Sequence, residues 1–436
     1  MIKILVIGSG AREHAIVKSL YKSSKKKTIY CLGTNNNPGI ADLCSELLVE
    51  NINDPEIVKN YAKEKKINFA IIGPENPLAN GIVDALLDIG IHSIGPKKEL
   101  AQIETSKSFT RNLLTTYKIP GTPKFKVFNT MNGVDDFLSV LGENYVIKYD
   151  GLAGGKGVKV AGDHLKSHKE AKQYCQELID KGGSFVIEKK LIGEEFSLMS
   201  FCDGNSLTHM PAVQDHKRAF EDDTGPNTGG MGTYSDSDHS LPFLDNNHIK
   251  AAKNINERTA KALKEKFGEG YKGVLYGGFI ATIDGVYLIE YNARFGDPEA
   301  MNVLSILETD FIDICQSIIE ESLHQIKINF SNQATVCKYA VPEGYPDNPV
   351  KNKQLDISKV KNKDNLYYAS VELKNNTLFG LGSRSVAIIG KGDAIWEAEE
   401  IAENEISKVK GPVFHRKDIG TTKLLQKKIN NMASLK

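Results

Sequence analysis

The chain has 436 residues, 40% hydrophobic and 25% charged, with Lys plus Arg and Asp plus Glu equal at 55 each. That length corresponds to roughly three domains, with apolar material for more than one core. The zero net charge gives no reason to expect bulk binding to nucleic acid or to an anionic membrane, and no uncharged apolar run reaches the ~18 residues of a membrane span. The six cysteines are scattered without a CxxC pair, so a disulfide framework or zinc site is not expected, and the reading is a cytoplasmic protein with reduced thiols.

The opening MIKILVIGSG reads as a strand, not a leader: one Lys precedes a short β-branched run that stops at glycine. The predicted elements then run strand Ile2–Ile7, helix Arg12–Tyr21, strand Thr28–Leu32, helix Asp54–Lys65, strand Phe69–Ile72, helix Leu78–Leu87 and strand Ile91–Ile94. Asp54 before Pro55 is a cap followed by a first-turn proline. Repeated β-α-β units predict a parallel, doubly wound sheet. Helix Ser106–Tyr117 follows and is ended by Pro120 and Pro123. Residues 124–190 are predicted as a small α+β unit, with strands Lys124–Val127, Tyr145–Tyr149, Val158–Ala161 and Ser184–Glu188 and a helix around Ser167–Ile179. From 196 to 328, strands Phe196–Phe201, Val274–Ile283 and Val286–Tyr291 mix with helices Asn247–Phe267 and Phe311–Glu321. The last hundred residues are expected to be β-rich with one helix near Ala394–Glu405. Asn348–Asn365 lacks periodic apolar positions and is expected to be an exposed loop or insertion.

Five segments carry chemistry. "GSGAREHA" (Gly8–Ala15) lies at a strand-to-helix turn, where helix-start amides attract anions. Glu13 stands where the dinucleotide fingerprint needs its third glycine, so NAD or FAD is disfavoured and a phosphosugar or small-anion site is expected. "YVIKYDGLAGGKGV" (Tyr145–Val158) places Lys148 on a strand before a loop with four glycines around Lys156. Such a loop can close over a polyphosphate, but it lacks GK[ST] and leads into a strand, so it is not a Walker A loop. "FVIEKKLIGEEFS" (Phe185–Ser197) ends a strand at Glu188, where adjacent backbone groups could read an adenine edge and a following carboxylate could take ribose hydroxyls. By itself that segment is equally any strand ending in a charged turn.

"QDHKRAFEDDTGPNTGGMGTYS" (Gln214–Ser235) is polar, glycine-rich and too long for a simple turn, which suits a functional loop. "VYLIEYNARFGDPEA" (Val286–Ala300) puts Glu290, Asn292 and Arg294 on one strand face by period-2 alternation. A carboxylate and an amide oxygen there suit Mg²⁺ bridging phosphates, and Arg294 suits a transferred phosphoryl group or a carboxylate. Leu288 and Ile289 suggest a central strand, where an acid needs a partner or an ion. Two weaker signals are "GPENPLANG" (Gly73–Gly81), with Glu75 and Asn76 at the ligand edge of a sheet, and "VFHRKDIG" (Val413–Gly420), read as a basic contact or a helix cap.

Taken together, "GSGAREHA", "GPENPL", "SKSFTR", "GLAGGKGV", "QDHKRAFEDDTGPNTGGMG", "EYNARFGDPE" and "HRKDIG" closely resemble the phosphoribosylamine–glycine ligase (glycinamide ribonucleotide synthetase) family of the ATP-grasp superfamily, almost end to end. Ala11 stands where that family commonly has glycine, Gly154 where it has alanine, and Ala300 where it has threonine. "KYAVPEGYP" (Lys338–Pro346) and "GSRSV" (Gly382–Val386) depart from its glycine-rich forms.

The resemblance implies a multidomain α/β and α+β chain. A Rossmann-like N-terminal domain would span 1–103, an ATP-grasp body 104–328 with a lid at about 124–190, and a β-rich C-terminal domain 329–436. It implies ligation of glycine to 5-phosphoribosylamine at the expense of ATP, through glycyl phosphate, in purine biosynthesis. It implies Mg²⁺ or Mn²⁺, small-molecule substrates only, no nucleic-acid or membrane partner, and a monomer. Carried over by position, Lys107, Lys148 and the Gly154–Gly155–Lys156–Gly157 loop would meet ATP phosphates. Glu188, Leu191 and Glu195 would frame adenine and ribose, and Glu290 and Asn292 would hold the metal. Arg294, Asp215, Lys217 and Asp297 would serve phosphoryl transfer and glycine. Gly10, Arg12, Glu13, Glu75 and Asn76 would meet phosphoribosylamine. Another ATP-grasp carboxylate–amine ligase, a nucleotide-dependent oxidoreductase and a non-catalytic ATP-binding regulator remain rival readings of the same residues.

Overall fold

A computed structural model describes residues 1–154 and 157–435. Five parallel strands open the chain: β1 (Ile2–Ile7), β2 (Lys27–Gly33), β3 (Glu46–Val49), β4 (Phe69–Ile72) and β5 (His92–Ile94). Their order is β3-β2-β1-β4-β5, so the chain winds outward from β1 to one side and then returns to the other. Ligands bind such sheets beyond the strand ends where the order reverses, here between β1 and β4. The Gly8–Arg12 turn and the Gly73–Glu75 turn lie at that crevice. The helix α1 (Ala11–Lys22) starts directly from it.

The helix predicted over Leu78–Leu87 is two short helices, Glu75–Ala79 and Ile82–Leu87. Gly81 separates them at φ +79°, a left-handed conformation that glycine adopts without strain. The predicted strand boundaries in this region otherwise agree within one or two residues. Strand β3 and the short helix Pro38–Ala41, capped by the Asn37 side chain, were not predicted.

Next come β6 (Phe125–Phe128), β7 (Tyr145–Tyr149), β8 (Val158–Val160) and β9 (Phe185–Lys189), an antiparallel sheet in the order β6-β9-β7-β8. Helices Val134–Leu141 and His168–Asp180 pack on it, the first of them unpredicted. Phe128, Leu138, Ile147, Cys175, Phe185 and Ile187 form a small core of their own, distinct from the large core that runs through the rest of the N-terminal and central parts.

The central part holds β10 (Glu194–Asp203), β11 (Leu207–His209), β12 (Gln214–Asp215), β13 (Arg218–Phe220), β14 (Thr224–Asn227), β15 (Gly232–Ser235), β16 (Lys272–Thr282) and β17 (Gly285–Asn292). Strands β11-β10-β16-β17 make one antiparallel sheet, backed by helix Asn246–Phe267. The sequence suggests a central position for the strand carrying Leu288 and Ile289, but β17 is the edge strand. A register shift leaves Ile289 unpaired, because Glu290 faces Gly278 while Leu288 faces Phe279. Such bulges re-aim groups beside functional sites. Here the Ile289 carbonyl accepts from Arg111 and Lys148.

The segment Gln214–Ser235, read as a loop, is largely strand. Strands β12 and β15 pair with each other, and β15 pairs with β18 (Ala334–Pro342), while β13 and β14 make a hairpin. The second partner of β15 lies about a hundred residues away, which no local pattern reveals. The sheet runs on from β18 through Val386–Gly392 to Leu366–Tyr368, so it takes strands from both sides of the boundary expected at 328/329.

Two C-terminal expectations change. The segment Asn348–Asn365 carries a strand, Lys353–Leu355, paired with Thr377–Gly380, and buries Leu355 and Val360. A second helix, Thr422–Ser434, follows the predicted one, which spans Ile395–Ile406. The six cysteines are all free thiols. Among the described residues, no helix is long and apolar enough to cross a membrane.

Candidate active site

A cavity of about 820 Å³ opens where the N-terminal sheet, the lid sheet, the central sheet and the C-terminal part meet. Its wall includes Arg12, Glu75, Lys107, Lys148, Gly154, Gly157, Glu188, Leu191, Glu195, Asp215, Lys217, Glu290, Asn292, Arg294 and Asp297. Fifteen of the residues expected in the site therefore converge, although they come from segments up to 285 positions apart (297 minus 12). Gly155 and Lys156 lie outside the described residues. Gly10, Glu13 and Asn76 are not on the wall, and Asn76 is exposed to solvent.

On the lid side, Lys148 comes from β7 and Glu188 from β9, with both side chains buried. Glu188 is not free to meet a ribose. Its carboxylate accepts from Arg111 at both oxygens (2.6 and 2.9 Å) and from Lys148 at 2.9 Å. Burial pushes the Glu188 carboxyl up, but Arg111 and Lys148 outweigh it and hold the group at about 2. Lys148 Nζ also donates to the Ile289 carbonyl at 2.8 Å. Burial lowers the Lys148 ammonium, opposed by Glu188. Lys107 donates to the Gly151 carbonyl at 2.7 Å from the first turn of its helix, Lys107–Thr116.

Across the cavity, Glu290 on β17 faces cations. Burial raises its carboxyl, and Lys217, Lys148, Lys107 and Arg294 together bring it below its usual value. Lys217 Nζ lies 3.6 Å from Glu195 and 3.9 Å from Glu290. Asp215 behaves differently. Its Oδ1 is buried and has no hydrogen-bond partner among the described residues. Burial and the neighbouring Glu299 charge push its carboxyl up to about 8, against the pull of Lys217 and Arg384. Glu299 itself accepts from Tyr276 at 2.5 Å. An unsatisfied buried acceptor of this kind destabilises the empty site by ~1–3 kcal/mol and fits a cationic donor.

Arg294 follows the end of β17 and joins two acids and one amide. Its Nη2 donates to Glu104 (2.9 Å) and to Asn292 Oδ1 (3.2 Å), and its Nε lies 3.5 Å from Glu75. Asp297 is not free. It accepts from Tyr339 at 2.6 Å and lies 3.2 Å from Arg384, whose guanidinium also binds the carbonyls of Gly229, Gly230 and Asp297.

The turn after β1 departs from the expected anion site. Glu13 folds back, accepts the Gly10 N–H at 2.6 Å and pairs with Arg12 Nε at 2.6 Å. Its carbon atoms would lie 2.7 Å from a Cβ on Gly8. A carboxylate thus fills the space a dinucleotide pyrophosphate needs and takes the helix-start amide. Arg12 remains on the cavity wall.

Among the described residues, no group of three or more His, Cys, Asp or Glu side chains could hold a metal by itself. Glu290 and Asn292, two residues apart on β17, still fit Mg²⁺, which binds through one or two protein oxygens plus substrate phosphates. Sequence reasoning missed Glu104, Tyr276 and Arg384 as wall residues and Arg111 as the partner of Glu188. Arg111 lies inside the "SKSFTR" segment and Arg384 inside "GSRSV", while Glu104 has no local signal.

Comparison with known proteins gives a consistent picture. The family models for phosphoribosylglycinamide synthetase match consecutively, the N domain at residues 2–104, the ATP-grasp (A) domain at 105–300 and the C domain at 335–422. The chain is 49% identical over 434 residues to a phosphoribosylamine–glycine ligase of Methanosarcina barkeri, covering 100% of each chain. It is similar to the crystal structure of a phosphoribosylamine–glycine ligase from Thermotoga maritima, with a TM-score of 0.80, 27% identity and coverage of 96% of this chain and 100% of that one. The biotin carboxylase domain of the Hydrogenobacter thermophilus 2-oxoglutarate carboxylase, solved with MgADP, shares the fold at a TM-score of 0.72 and 13% identity, over 99% and 93% of the two chains.

Proposed function

The chain belongs to the phosphoribosylglycinamide synthetase family, and from that membership we propose how its cavity performs the family's reaction. The activity is the ATP-dependent joining of glycine to 5-phosphoribosylamine in purine biosynthesis, which gives glycinamide ribonucleotide, ADP and phosphate.

A carboxylate is a poor acylating group. We assign the first step to attack of a glycine carboxylate oxygen on the γ-phosphorus of ATP, which releases ADP and leaves glycyl phosphate. The phosphoribosylamine nitrogen then attacks the carbonyl carbon, phosphate leaves with the C–O bonding pair, and the nitrogen gives up a proton. The protein's work is to hold reactants in line and offset charge. Lys107 and Lys148 take the ATP phosphates, with Gly154, Gly155, Lys156 and Gly157 closing over them. Leu191 and Glu195 border adenine and ribose, and Glu188 serves by holding Lys148 in place. Glu290 and Asn292 are the residues to hold Mg²⁺ or Mn²⁺, which when bound neutralises phosphate charge and polarises the phosphoryl group. Asp215 takes the glycine ammonium beside Lys217. Arg294, braced by Glu104 and Glu75, meets the glycine carboxylate and the moving phosphoryl group. Asp297, tied to Arg384 and Tyr339, shapes that wall. Arg12 and Glu75 border the phosphoribosylamine end, and Gly10 and Glu13 support Arg12.

The observation that carries this reading is one cavity that joins Lys148, Lys217 and Arg294 to an ionised Glu290 and an unpartnered Asp215 oxygen. The test is ADP release with Mg²⁺-ATP, glycine and phosphoribosylamine, each omitted in turn, in wild type and in Glu290→Ala and Lys148→Met. Release only with all three substrates, and its loss by at least about 10²-fold in either folded variant, is expected. Near-full activity of either variant would overturn the site assignment.

A further inference from the structure

The hairpin of β13 and β14 turns through Asp222 and Asp223, both non-glycine residues in the left-handed region at φ +60° and +59°. Aspartate tolerates that region better than most residues, and contacts from other elements hold the pair there. The surroundings are residues 416–428, together with His216 of the same segment, whose Nδ1 lies 3.3 Å from Asp223. Asp418 accepts the Asp222 N–H at 3.0 Å, and Lys427 donates to the Asp222 carbonyl at 3.3 Å. Asp223 accepts from Arg416 at 2.8 Å and from Lys428 at 2.9 Å. Arg416 is buried, and Asp418 grips it with both carboxylate oxygens.

Lys428 reaches further. It lies on the cavity wall, and its Nζ is also 3.1 Å from Glu194, the first residue of β10. Asn431, one turn on, donates to the other Glu194 oxygen at 2.8 Å. One ammonium therefore ties the tip of the Gln214–Ser235 segment to the strand whose next residue, Glu195, faces Lys217. The base of the same segment carries Asp215 and Lys217.

We infer that the C-terminal helix is a latch on the Asp215 segment, with Lys428 as the positioning residue that fixes the glycine-binding conformation. Nothing in the reaction needs Lys428 to touch a reacting atom. Its effect passes through Asp223 and Glu194. The inference rests on the reading that Asp215 and Lys217 meet glycine.

The test compares Lys428→Met, which keeps the stem and removes the charge, with Lys428→Arg. The Met variant should raise the glycine KM about tenfold while kcat changes less than about threefold. Trypsin should cut after Lys217 or Arg218 about tenfold faster, because the segment opens more often. Lys428→Arg should restore both. If Lys428→Met does not fold, the exposed Lys427→Met loosens the same turn, and about twofold faster cleavage is expected. Unchanged cleavage in the folded variant, or a lower thermal midpoint with unchanged glycine KM and unchanged cleavage, would sink the latch. Faster cleavage with a raised KM for ATP and not for glycine would keep the latch and remove the glycine placement.

Discussion

Raising the pH should tighten glycine binding through Asp215. Burial and the Glu299 charge lift this carboxyl to about 8, against ~3.9 for an exposed aspartate. Below about pH 8 a proton must leave before the carboxylate can pair with the glycine ammonium. At about pH 7, roughly one molecule in eleven carries the ionised form, so the glycine KM should stand roughly tenfold above its alkaline plateau. Between about pH 6 and 8 the apparent affinity should rise by up to about tenfold per unit, and binding at about pH 7 should release close to one proton. The stability effect has a definite sign. The folded pKa lies above the unfolded one, so the folded state holds the proton more tightly, and the ligand-free protein loses stability as pH rises from ~3.9 through about 8. Glycine should restore it. The assays are ADP release with glycine varied at each pH, and thermal unfolding with and without glycine. Asp215→Asn should flatten both profiles. A glycine KM independent of pH in this window, or the same slope in Asp215→Asn, refutes the reasoning.

Arg111→Met should lower unfolding stability by ~3–5 kcal/mol in denaturant titration, because it leaves the buried Glu188 carboxylate with Lys148 alone; a loss under ~1 kcal/mol would mean that Lys148 suffices. Gly230→Ala adds a Cβ at φ +105°, 2.7 Å from Asp215 Oδ1 and 2.7 Å from Pro298 Cδ. It should raise the glycine KM by at least about tenfold with the ATP KM little changed, and equal effects on both substrates would place Asp215 elsewhere.

Four of the five strands of the N-terminal sheet were legible because they announce themselves locally, by β-branched runs, an Asp–Pro cap on a following helix and a glycine at the first turn; β3 and the helix Pro38–Ala41 carry no such mark. The long Gln214–Ser235 segment was not. Its short strands are rich in polar residues and glycine, and β15, which carries β12, is joined to its sheet by β18 from far along the chain. The site was readable as residue types in motifs, and the cavity brings most of them together. What could not be read was which charges answer one another. Glu188 was expected to help frame adenine and ribose, and no local pattern shows that Arg111 and Lys148 occupy its carboxylate. Glu104 carries no local mark, since it matters only through its partner in another element, Arg294. Nor does sequence reveal that the Glu13 side chain folds back to accept the Gly10 N–H at its own helix start.

The lid's separate core has a mechanical consequence. Its apolar side chains bury one another, so swinging the sheet of β6–β9 away from the body uncovers little oily surface. Polar restraints include Arg111 to Glu188, Lys148 to the Ile289 carbonyl, Lys107 to the Gly151 carbonyl, Ser106 and Ser108 to Asp150, and Arg218 to Asp163. Such bonds exchange readily with water, at about 1 kcal/mol net for ordinary ones and about 1.5–3 where a charge is involved. Two of these fasteners, Lys148 and Lys107, are the cations assigned to the nucleotide. An ammonium has three protons to give, and Lys148 uses two of them on Glu188 and Ile289. The third is left for phosphate, so the arrival of ATP can tighten the hinge without first breaking it.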